Sequence, residues 1–339
     1  MVIYMKIKKS VKVFIVLIII ILIGFLSYKY FFLNTDRNEN KEINTNVKDN
    51  SKYETLNKIK NTEYYNKKYE NDYKKINYLE KKDFLKNISI LLDKGFTASE
   101  INNYYKYKNF DINNIDRYND YKDKNNDLDL KDVITYVNIN LDLKPYQETK
   151  EVKDSSDLLA LVNKYNYLNT SYKPSDLEEV SGFYGNNVTM RKVAKDAFLK
   201  LQKDAKDNNN LTLMPTTAYR SAEFQKTLYN NYVSKDGVDA ADTYSARPGF
   251  SDHQTGLAID LKNPNLGSNL RLTDDDYKWL ENNCSKYGFI IRFPKDKENI
   301  TLYQFENWHI RYVGVEHAKK IMNEKLTLEE YIDLYITEY

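Results

Sequence analysis

The sequence predicts an α+β fold in which helices flank a small antiparallel sheet. Segments with the 3.6-residue period of helices and short apolar runs typical of strands follow one another without the strand–helix–strand rhythm of a parallel sheet. Eight of the ten glycines lie between residues 182 and 314, and the three histidines and two tryptophans all follow residue 250. Because tight turns need glycine, we expect the most compact part of the fold in the C-terminal half.

The N-terminus resembles a membrane anchor. Residues 1–12 contain four lysines, and residues 13–33 form a segment of 21 mainly apolar residues, close to the ~20 that cross a bilayer as a helix. A cleavable signal peptide is the alternative, but Phe31, Phe32 and Leu33 occupy the place of a small-residue cleavage site. We therefore predict an uncleaved transmembrane helix, with residues 1–12 in the cytoplasm and the rest of the chain outside the cell.

Two further segments precede the C-terminal half. Residues 34–80 are rich in Asn, Lys, Glu, Asp and Tyr and lack glycine and proline, which indicates a solvated or loosely helical stalk. Residues 81–150 predict a helical module, because apolar positions from Phe84 to Leu92 share one helical face and Thr97 to Glu100 matches a capping box. We interpret this module as a spacer; a wall-binding or partner-binding element is the alternative.

Residues 151–339 contain the patterns of a mixed domain. Its only cysteine, Cys284, is the sole cysteine of the chain, so no intramolecular disulfide can form, and we expect it to be a buried apolar residue. The predicted elements are an amphipathic helix over 190–201, a strand over 211–219 with Pro215 at an edge or bulge, a helix capped by Ser221, strands over 256–261 and 289–293, a helix from Thr273 to Gly288, and a last strand over 308–313.

Two short stretches carry the chemistry. His253 and Asp260 are separated by Gly256, whose turn can bring both side chains to one point, and His309 lies on a later strand. Two imidazoles and one carboxylate form a three-residue zinc site with an open fourth position. Glu306 precedes His309 by three residues, so it is tethered near the metal as a general base, and Trp308 would wall the site.

Two other features of the sequence give little information about function. His317 lies on a predicted exposed helix, and we expect a surface residue rather than a fourth ligand. The net charge of +2 gives no support to a nucleic-acid partner, which normally needs a clustered basic face.

Residues 155–320 resemble the VanY-type zinc D-alanyl-D-alanine carboxypeptidases, a part of the LAS group of peptidoglycan metallopeptidases that share the Hedgehog/DD-peptidase fold. The resemblance is carried by Tyr219-Arg220-Ser221, Gln225, Arg247, the run Ser251-x-His253-x-x-Gly256-x-Ala258-x-Asp260, and Glu306-x-Trp308-His309. In most members proline stands between the glutamate and the tryptophan, where this chain has Asn307.

The resemblance implies roles for these residues. His253, Asp260 and His309 would hold one Zn²⁺ ion and Glu306 would be the catalytic base. Arg220 would stabilise the oxyanion at the scissile carbonyl. Ser251 and Gln225 would bind the terminal carboxylate and backbone of the substrate. Trp308 is a further implied substrate contact, and Arg247, in the same loop as Ser251, would either contact the substrate or have a structural role.

The resemblance implies a membrane-anchored enzyme that removes the C-terminal D-alanine from peptidoglycan stem peptides. L,D-carboxypeptidase and crosslink endopeptidase activities remain open, because specificity depends on the shape of the pocket rather than on the metal ligands. A non-catalytic wall-binding module with the same zinc fold is an alternative of another class. The presence of both Glu306 and Arg220 favours the enzyme.

Overall fold

The computed structural model describes residues 53–267 and 271–337. The chain divides into two compact units, one up to Lys106 and the other from Tyr107 onward. The predicted anchor over 13–33 lies outside the described residues. Within the described ranges, no helix combines the length and the apolar character that crossing a membrane requires.

The first unit is a group of short helices around an aromatic and aliphatic core. Buried side chains in its first part include Leu56, Ile59 and Tyr73, so of the two alternatives for the stalk the solvated one is wrong from residue 53 to residue 80, and the helices there are packed rather than loose. Tyr69 and Tyr73 of this segment pack as core residues, which composition alone did not indicate. Its helices are α1 (Glu54–Ile59), α2 (Glu70–Tyr73), α3 (Phe84–Asp93) and α4 (Ala98–Tyr104), and the predicted capping box of Thr97 and Glu100 opens α4.

The second unit begins with two helices of the predicted 81–150 module. These are α5 (Ile115–Lys124) and α6 (Leu130–Asn138). The amides of Asn109 and Asn138 donate to the carboxylate of Asp333 near the C-terminus, at 2.6 and 2.9 Å. The predicted module over 81–150 is therefore divided near residue 106, and its second part belongs to the C-terminal domain.

The remaining elements of the second unit follow in the expected mixed order. Its strands are β1 (Lys150–Glu151), β2 (Asn166–Tyr167), β3 (Leu177–Ser181), β4 (Asn187–Arg191), β5 (Met214–Thr217), β6 (Ala258–Lys262), β7 (Phe289–Ile291) and β8 (His309–Tyr312). Its further helices are α7 (Lys192–Asn209), α8 (Ala222–Asp236), α9 (Val238–Asp242), α10 (Asp274–Asn283), α11 (Glu298–Thr301), α12 (Val315–Glu324) and α13 (Leu328–Tyr335).

A four-stranded antiparallel sheet with the order β5-β6-β8-β7 forms the centre of this unit, which confirms the predicted fold class. Side chains alternate between its two faces. Ile259 and Ile310 enter the main hydrophobic core with Phe198 of α7. Asp260 and His309, their neighbours in sequence, therefore lie on the opposite face.

Most strands and caps of this unit were predicted. β5 is an edge strand whose register shifts at Pro215, and the Ser221 hydroxyl accepts from the backbone of α8 as expected. Cys284 is fully buried. Two features were missed: β3 and β4 form a hairpin, and Met190 lies in β4 rather than in α7.

Gly288 provides a test of the turn that leads into β7. Its φ is +85°, and an added Cβ would lie 2.7 Å from the Tyr312 ring and 3.1 Å from the Gly314 backbone. Gly288→Ala should therefore lower the free energy of unfolding by about 2–4 kcal/mol, through backbone strain and overpacking.

Thermal unfolding followed by circular dichroism measures this effect. Gly267→Ala is the matched control, because no atom lies within 4 Å of its added Cβ. Equal melting temperatures for the two variants would contradict this account of the turn.

Candidate metal centre

His253 lies in a 3₁₀ turn, Asp252–Thr255, which the left-handed Gly256 (φ +69°) ends just before β6. This is the turn that the spacing predicted. The Nδ1 atom of His253 lies 2.7 Å from the carbonyl oxygen of Ala218, and Nε2 lies 3.4 Å from Oδ2 of Asp260. The imidazole therefore presents Nε2 to the carboxylate and is held from behind by the backbone.

Asp260 and His309 are direct cross-strand partners in the antiparallel pair β6–β8. Directly opposed residues have Cβ atoms about 4.5–5.5 Å apart, so the register itself brings the two side chains together. Nδ1 of His309 lies 3.1 Å from Oδ1 of Asp260. One ligand atom from each of His253, Asp260 and His309 lies within 4.8 Å of the others, and all three residues are buried.

The hydrogen bonds of these three residues suit a divalent cation. Oδ1 of Asp260 is buried and makes no hydrogen bond, although Nδ1 of His309 lies 3.1 Å from it. Both imidazoles use their outer nitrogen, since His253 bonds Ala218 and Nε2 of His309 lies 3.4 Å from Oδ2 of Asp252. The inner nitrogens can then present lone pairs toward the same point as the orphaned oxygen, which is the arrangement that a metal requires.

The charges around the two histidines also favour a divalent cation at this position. Burial lowers the pKa of His309, but its bond to Asp252 and the carboxylates of Asp260 and Glu306 outweigh burial and raise this pKa to about 9. For His253, burial prevails and lowers the pKa. The acidic groups thus attract positive charge to His309, and a divalent cation would compete for the position of that proton.

Asp252 is a residue that sequence reasoning passed over. It is buried, accepts a hydrogen bond from the guanidinium of Arg311, and lies 3.9 Å from Nε of Arg292. Arg292 in turn pairs with Glu329 of α13 at 2.7 Å. Despite the cost of burial, Arg311 and His309 hold the pKa of Asp252 well below its usual range, so the carboxylate stays charged and orients His309.

Glu306 lies beside this centre, with Oε2 at 3.5 Å from Nδ1 of His309. Burial raises its pKa to about 7, a rise that the charges of His309 and two arginines oppose. A carboxylate with a pKa near neutrality can accept and release a proton at physiological pH. The structure therefore places Glu306 where the sequence predicted a base.

Arg220 follows β5 and approaches the centre from the other side. Its Nη2 lies 4.0 Å from Oδ2 of Asp260, and its Nη1 donates to the amide oxygen of Gln225 at 2.8 Å. The amide nitrogen of Gln225 donates to Ala246 and Ser245. Gln225, predicted as a substrate contact, borders the cavity, and its amide also positions Arg220.

A cavity of about 300 Å³ joins these groups. Ser251 and Trp308 border it, as predicted, but Arg247 does not. Arg247 forms a bidentate pair with Asp242 and stacks on Tyr146 at 4.1 Å, contacts that favour the structural alternative over the substrate contact. The predicted cavity residues present in the lining are Arg220, Gln225, Ser251, His253, Asp260, Glu306, Trp308 and His309.

The sequence contains signals that could have identified Asp252, Arg292 and Arg311 as residues that support the site. Asp252 is next to the ligand His253, where a carboxylate can orient a second ligand. Arg292 and Arg311 interrupt apolar strands, and a charge in such a strand needs a buried partner. His317 is only half-buried, and its Nδ1 lies 2.7 Å from the Tyr331 hydroxyl, away from the centre.

Comparison with known proteins relates this site to peptidases. The family model for VanY, D-alanyl-D-alanine carboxypeptidase, matches residues 187–315. The putative carboxypeptidase YodJ of Bacillus subtilis (strain 168) is 40% identical over 199 residues, which cover 57% of this chain and 73% of that protein. The bifunctional D-Ala-D-Ala dipeptidase and D-Ala-D-Ala carboxypeptidase VanXYC of Enterococcus gallinarum is 30% identical over 52% of this chain and 93% of its own length.

A solved structure is also similar. The LdcB LD-carboxypeptidase, whose structure addresses peptidoglycan recognition, superimposes with a TM-score of 0.50 and is 40% identical. The match covers 56% of this chain and 92% of that one.

Removal of the Asp252 carboxylate tests the orientation of His309. Asp252→Asn should weaken Zn²⁺ affinity about 10- to 100-fold, because His309 loses the charged partner of its outer nitrogen. Competition with a chromophoric chelator measures the affinity, and circular dichroism establishes that the variant is folded.

The matched control is Asp242→Asn, which breaks the pair with Arg247 without touching a candidate ligand. Equal Zn²⁺ affinities in the two variants would remove Asp252 from the metal centre.

Proposed function

Because the chain is a carboxypeptidase of the VanY family, we propose that it removes the C-terminal D-alanine from peptidoglycan stem peptides outside the cell. The observation that carries this proposal is the convergence of His253, Asp260, His309, Glu306 and Arg220 on one cavity. Two imidazoles and a carboxylate beside a buried glutamate and an arginine suit hydrolysis of an amide bond.

The proposed cofactor is one Zn²⁺ ion held by His253, Asp260 and His309. In this donor set, zinc supplies Lewis acidity and lowers the pKa of water in its open position. The protein contributes the orientation of the ligands. Ala218 holds the ring of His253 and Asp252 holds the ring of His309, each through a hydrogen bond to the outer nitrogen.

Glu306 is proposed as the general base. It takes a proton from the attacking water and passes it to the amine of the departing D-alanine. Its burial supports this role, because a pKa of about 7 lets one group serve in both steps. Because Glu306 precedes His309 by three residues, its carboxylate stays beside the metal ligands and does not have to bind the ion.

Arg220 is proposed to stabilise the oxyanion that forms at the scissile carbonyl. Its guanidinium lies beside Asp260, with 14% of the side chain exposed, and is fixed by Gln225, so the charge is oriented before the substrate arrives. Ser251 and Trp308 line the same cavity and are proposed as substrate contacts. The presence of the base and the arginine in one cavity argues against a non-catalytic wall-binding module.

We propose D,D specificity first, since the matching family model and the VanXYC relative carry that activity in their names. L,D specificity is the second candidate, because the LdcB LD-carboxypeptidase is 40% identical and this chain covers 92% of it. Both reactions release D-alanine, so the metal centre serves either one. The difference lies in the residue that precedes the released alanine.

The proposed location is the cell membrane, with a single helix over 13–33 and the peptidase domain outside. It rests on the length of the apolar segment and on the lysines of residues 1–12. A peptidase in that position would reach stem peptides of the cell wall.

Two peptides decide between the candidate specificities. The purified chain is incubated with stem pentapeptide and with stem tetrapeptide, with and without a chelator, and the products are analysed by mass spectrometry. We expect metal-dependent loss of one alanine from the pentapeptide alone. Loss from the tetrapeptide alone would establish the L,D reaction, and no metal-dependent product from either peptide would refute the carboxypeptidase proposal.

The base is tested by Glu306→Gln, which keeps the size of the side chain but removes its ability to accept the proton. The variant should bind Zn²⁺ as the wild type does and lose about 10²- to 10⁴-fold in kcat. Steady-state kinetics and metal analysis by mass spectrometry measure the two properties.

Glu298→Gln, at the start of α11 and outside the cavity lining, is the control that loses a carboxylate elsewhere. A fully active Glu306→Gln enzyme would show that another group is the base.

A further inference from the structure

Lys164 is a buried cation that the mechanism above does not use. It lies just before β2, and only 4% of its surface is exposed. Burial lowers its pKa to about 8, a change that the charge of Asp242 opposes, so the side chain stays largely protonated at neutral pH. A charged group that is removed from water needs hydrogen bonds to offset the lost hydration. The partners of Lys164 therefore indicate what this residue does.

Two backbone carbonyl groups accept hydrogen bonds from the ammonium of Lys164. They belong to Asp242, the last residue of α9, and to Leu302, the residue that follows α11, and both distances are 2.6 Å. The last carbonyls of a helix have no partner within the helix and carry partial negative charge. Leu302 also has a left-handed backbone, with φ +62°, which is uncommon for a residue other than glycine. Lys164 thus joins the ends of two helices that are far apart in the sequence.

Both helix ends lead into the wall of the catalytic cavity. Tyr244 and Ser245 follow α9, Tyr303 and Glu306 follow α11, and all four border the cavity. Lys164 lies behind this wall rather than in it. Its two bonds therefore hold the segment that contains the proposed base against the segment that follows α9.

Other contacts link the same two segments. The backbone N–H of Gln304 donates to the carbonyl oxygen of Thr243 at 2.9 Å, and its side-chain amide donates to the Thr243 hydroxyl at 3.0 Å. On the buried side, the ammonium of Lys164 lies 4.5 Å from the centre of the Tyr303 ring, and the Tyr303 hydroxyl lies 3.4 Å from that of Tyr146. An exposed amide and a buried ammonium thus connect the segments at two points.

We propose that Lys164 is a positioning residue of the peptidase, which keeps the Glu306 carboxylate and the Tyr303 ring in place by joining the segments after α9 and α11. The inference rests on the proposed function and deepens it. Lys164 acts through the backbone of Leu302, four residues before Glu306, and is not itself a cavity residue. A displacement of about 1 Å in a catalytic group is enough to lower a rate about 100-fold, so loss of this link should appear in turnover.

The candidate metal ligands are held by other groups. Ala218 and Asp252 orient the two histidines, and the pairing of β6 with β8 fixes Asp260. Loss of the Lys164 bonds should therefore lower turnover and leave Zn²⁺ affinity as in the wild type. A general contribution to stability would instead lower both properties together.

The test replaces Lys164 in the full-length enzyme by methionine, which keeps the length of the side chain and removes its charge and its donors. The substrate is the stem peptide that the wild type cleaves, and kcat is expressed per zinc-loaded protein. We expect Lys164→Met to lower this kcat about 10- to 100-fold, while Zn²⁺ affinity changes less than about threefold. Lys164→Arg, which can donate to both carbonyls, should recover most of the lost kcat.

Two further variants control for stability and for folding. Lys195→Met removes another partly buried lysine, which pairs with Glu178 at 2.9 Å between α7 and β3, and it should lower the melting temperature without lowering kcat per zinc-loaded protein. Gln304→Ala removes the exposed side-chain link and should lower kcat about 2- to 10-fold, as for loss of one hydrogen bond. If Lys164→Met does not fold, an unchanged kcat in Gln304→Ala overturns the proposal.

Hydrogen exchange measured by mass spectrometry tests the link without turnover. In Lys164→Met, the backbone amides of residues 243–247 and 302–306 should exchange about tenfold faster than in the wild type, because the segments open more often. The same amides should be unchanged in Lys195→Met.

The outcomes are distinct. A wild-type kcat per zinc-loaded protein in Lys164→Met, or a fall in kcat with an equal fall in Zn²⁺ affinity, overturns the positioning role. Absence of metal-dependent turnover in the wild type counts against the proposed function instead. The exchange rates then decide on the link itself, and unchanged rates in Lys164→Met overturn it.

Discussion

The pairing of β6 with β8 sets Asp260 directly opposite His309, and the whole centre depends on this register. A slip of either strand by one residue would turn its ligand into the hydrophobic core and bring its isoleucine, Ile259 or Ile310, to the cavity, because side chains alternate between the faces of a sheet. The core contacts of the two isoleucines therefore also hold the metal ligands in place. The same two strands therefore contribute both to the hydrophobic core and to the metal site.

A buried chain of charges supports the site from behind. The Asp252 carboxylate contacts both Arg311 and Arg292, and Arg292 continues the chain to Glu329 of the C-terminal helix α13. Each of these ions would cost several kcal/mol to bury alone, so each depends on its partners. Through this chain α13, which contains no cavity residue, contributes to the orientation of His309.

Local patterns predicted much of the fold because local physics decides them. The edge strand at Pro215, the cap at Ser221 and the turn at Gly256 each follow from the residue that occupies the position. The stalk and the module boundary were predicted incorrectly for a different reason. Tyr73 becomes a core residue and Asn138 bonds Asp333 only when distant parts of the chain meet.

The amino-acid sequence by itself determined which residues can serve as ligands and base, since residue type and spacing are enough to identify His253, Asp260, His309 and Glu306. Only the tertiary structure decided what their neighbours do. It bonded Gln225 to Arg220 and paired Arg247 with Asp242. The physical reason is that a polar side chain's role depends on which of its donors and acceptors remain free, and folding alone allocates those partners.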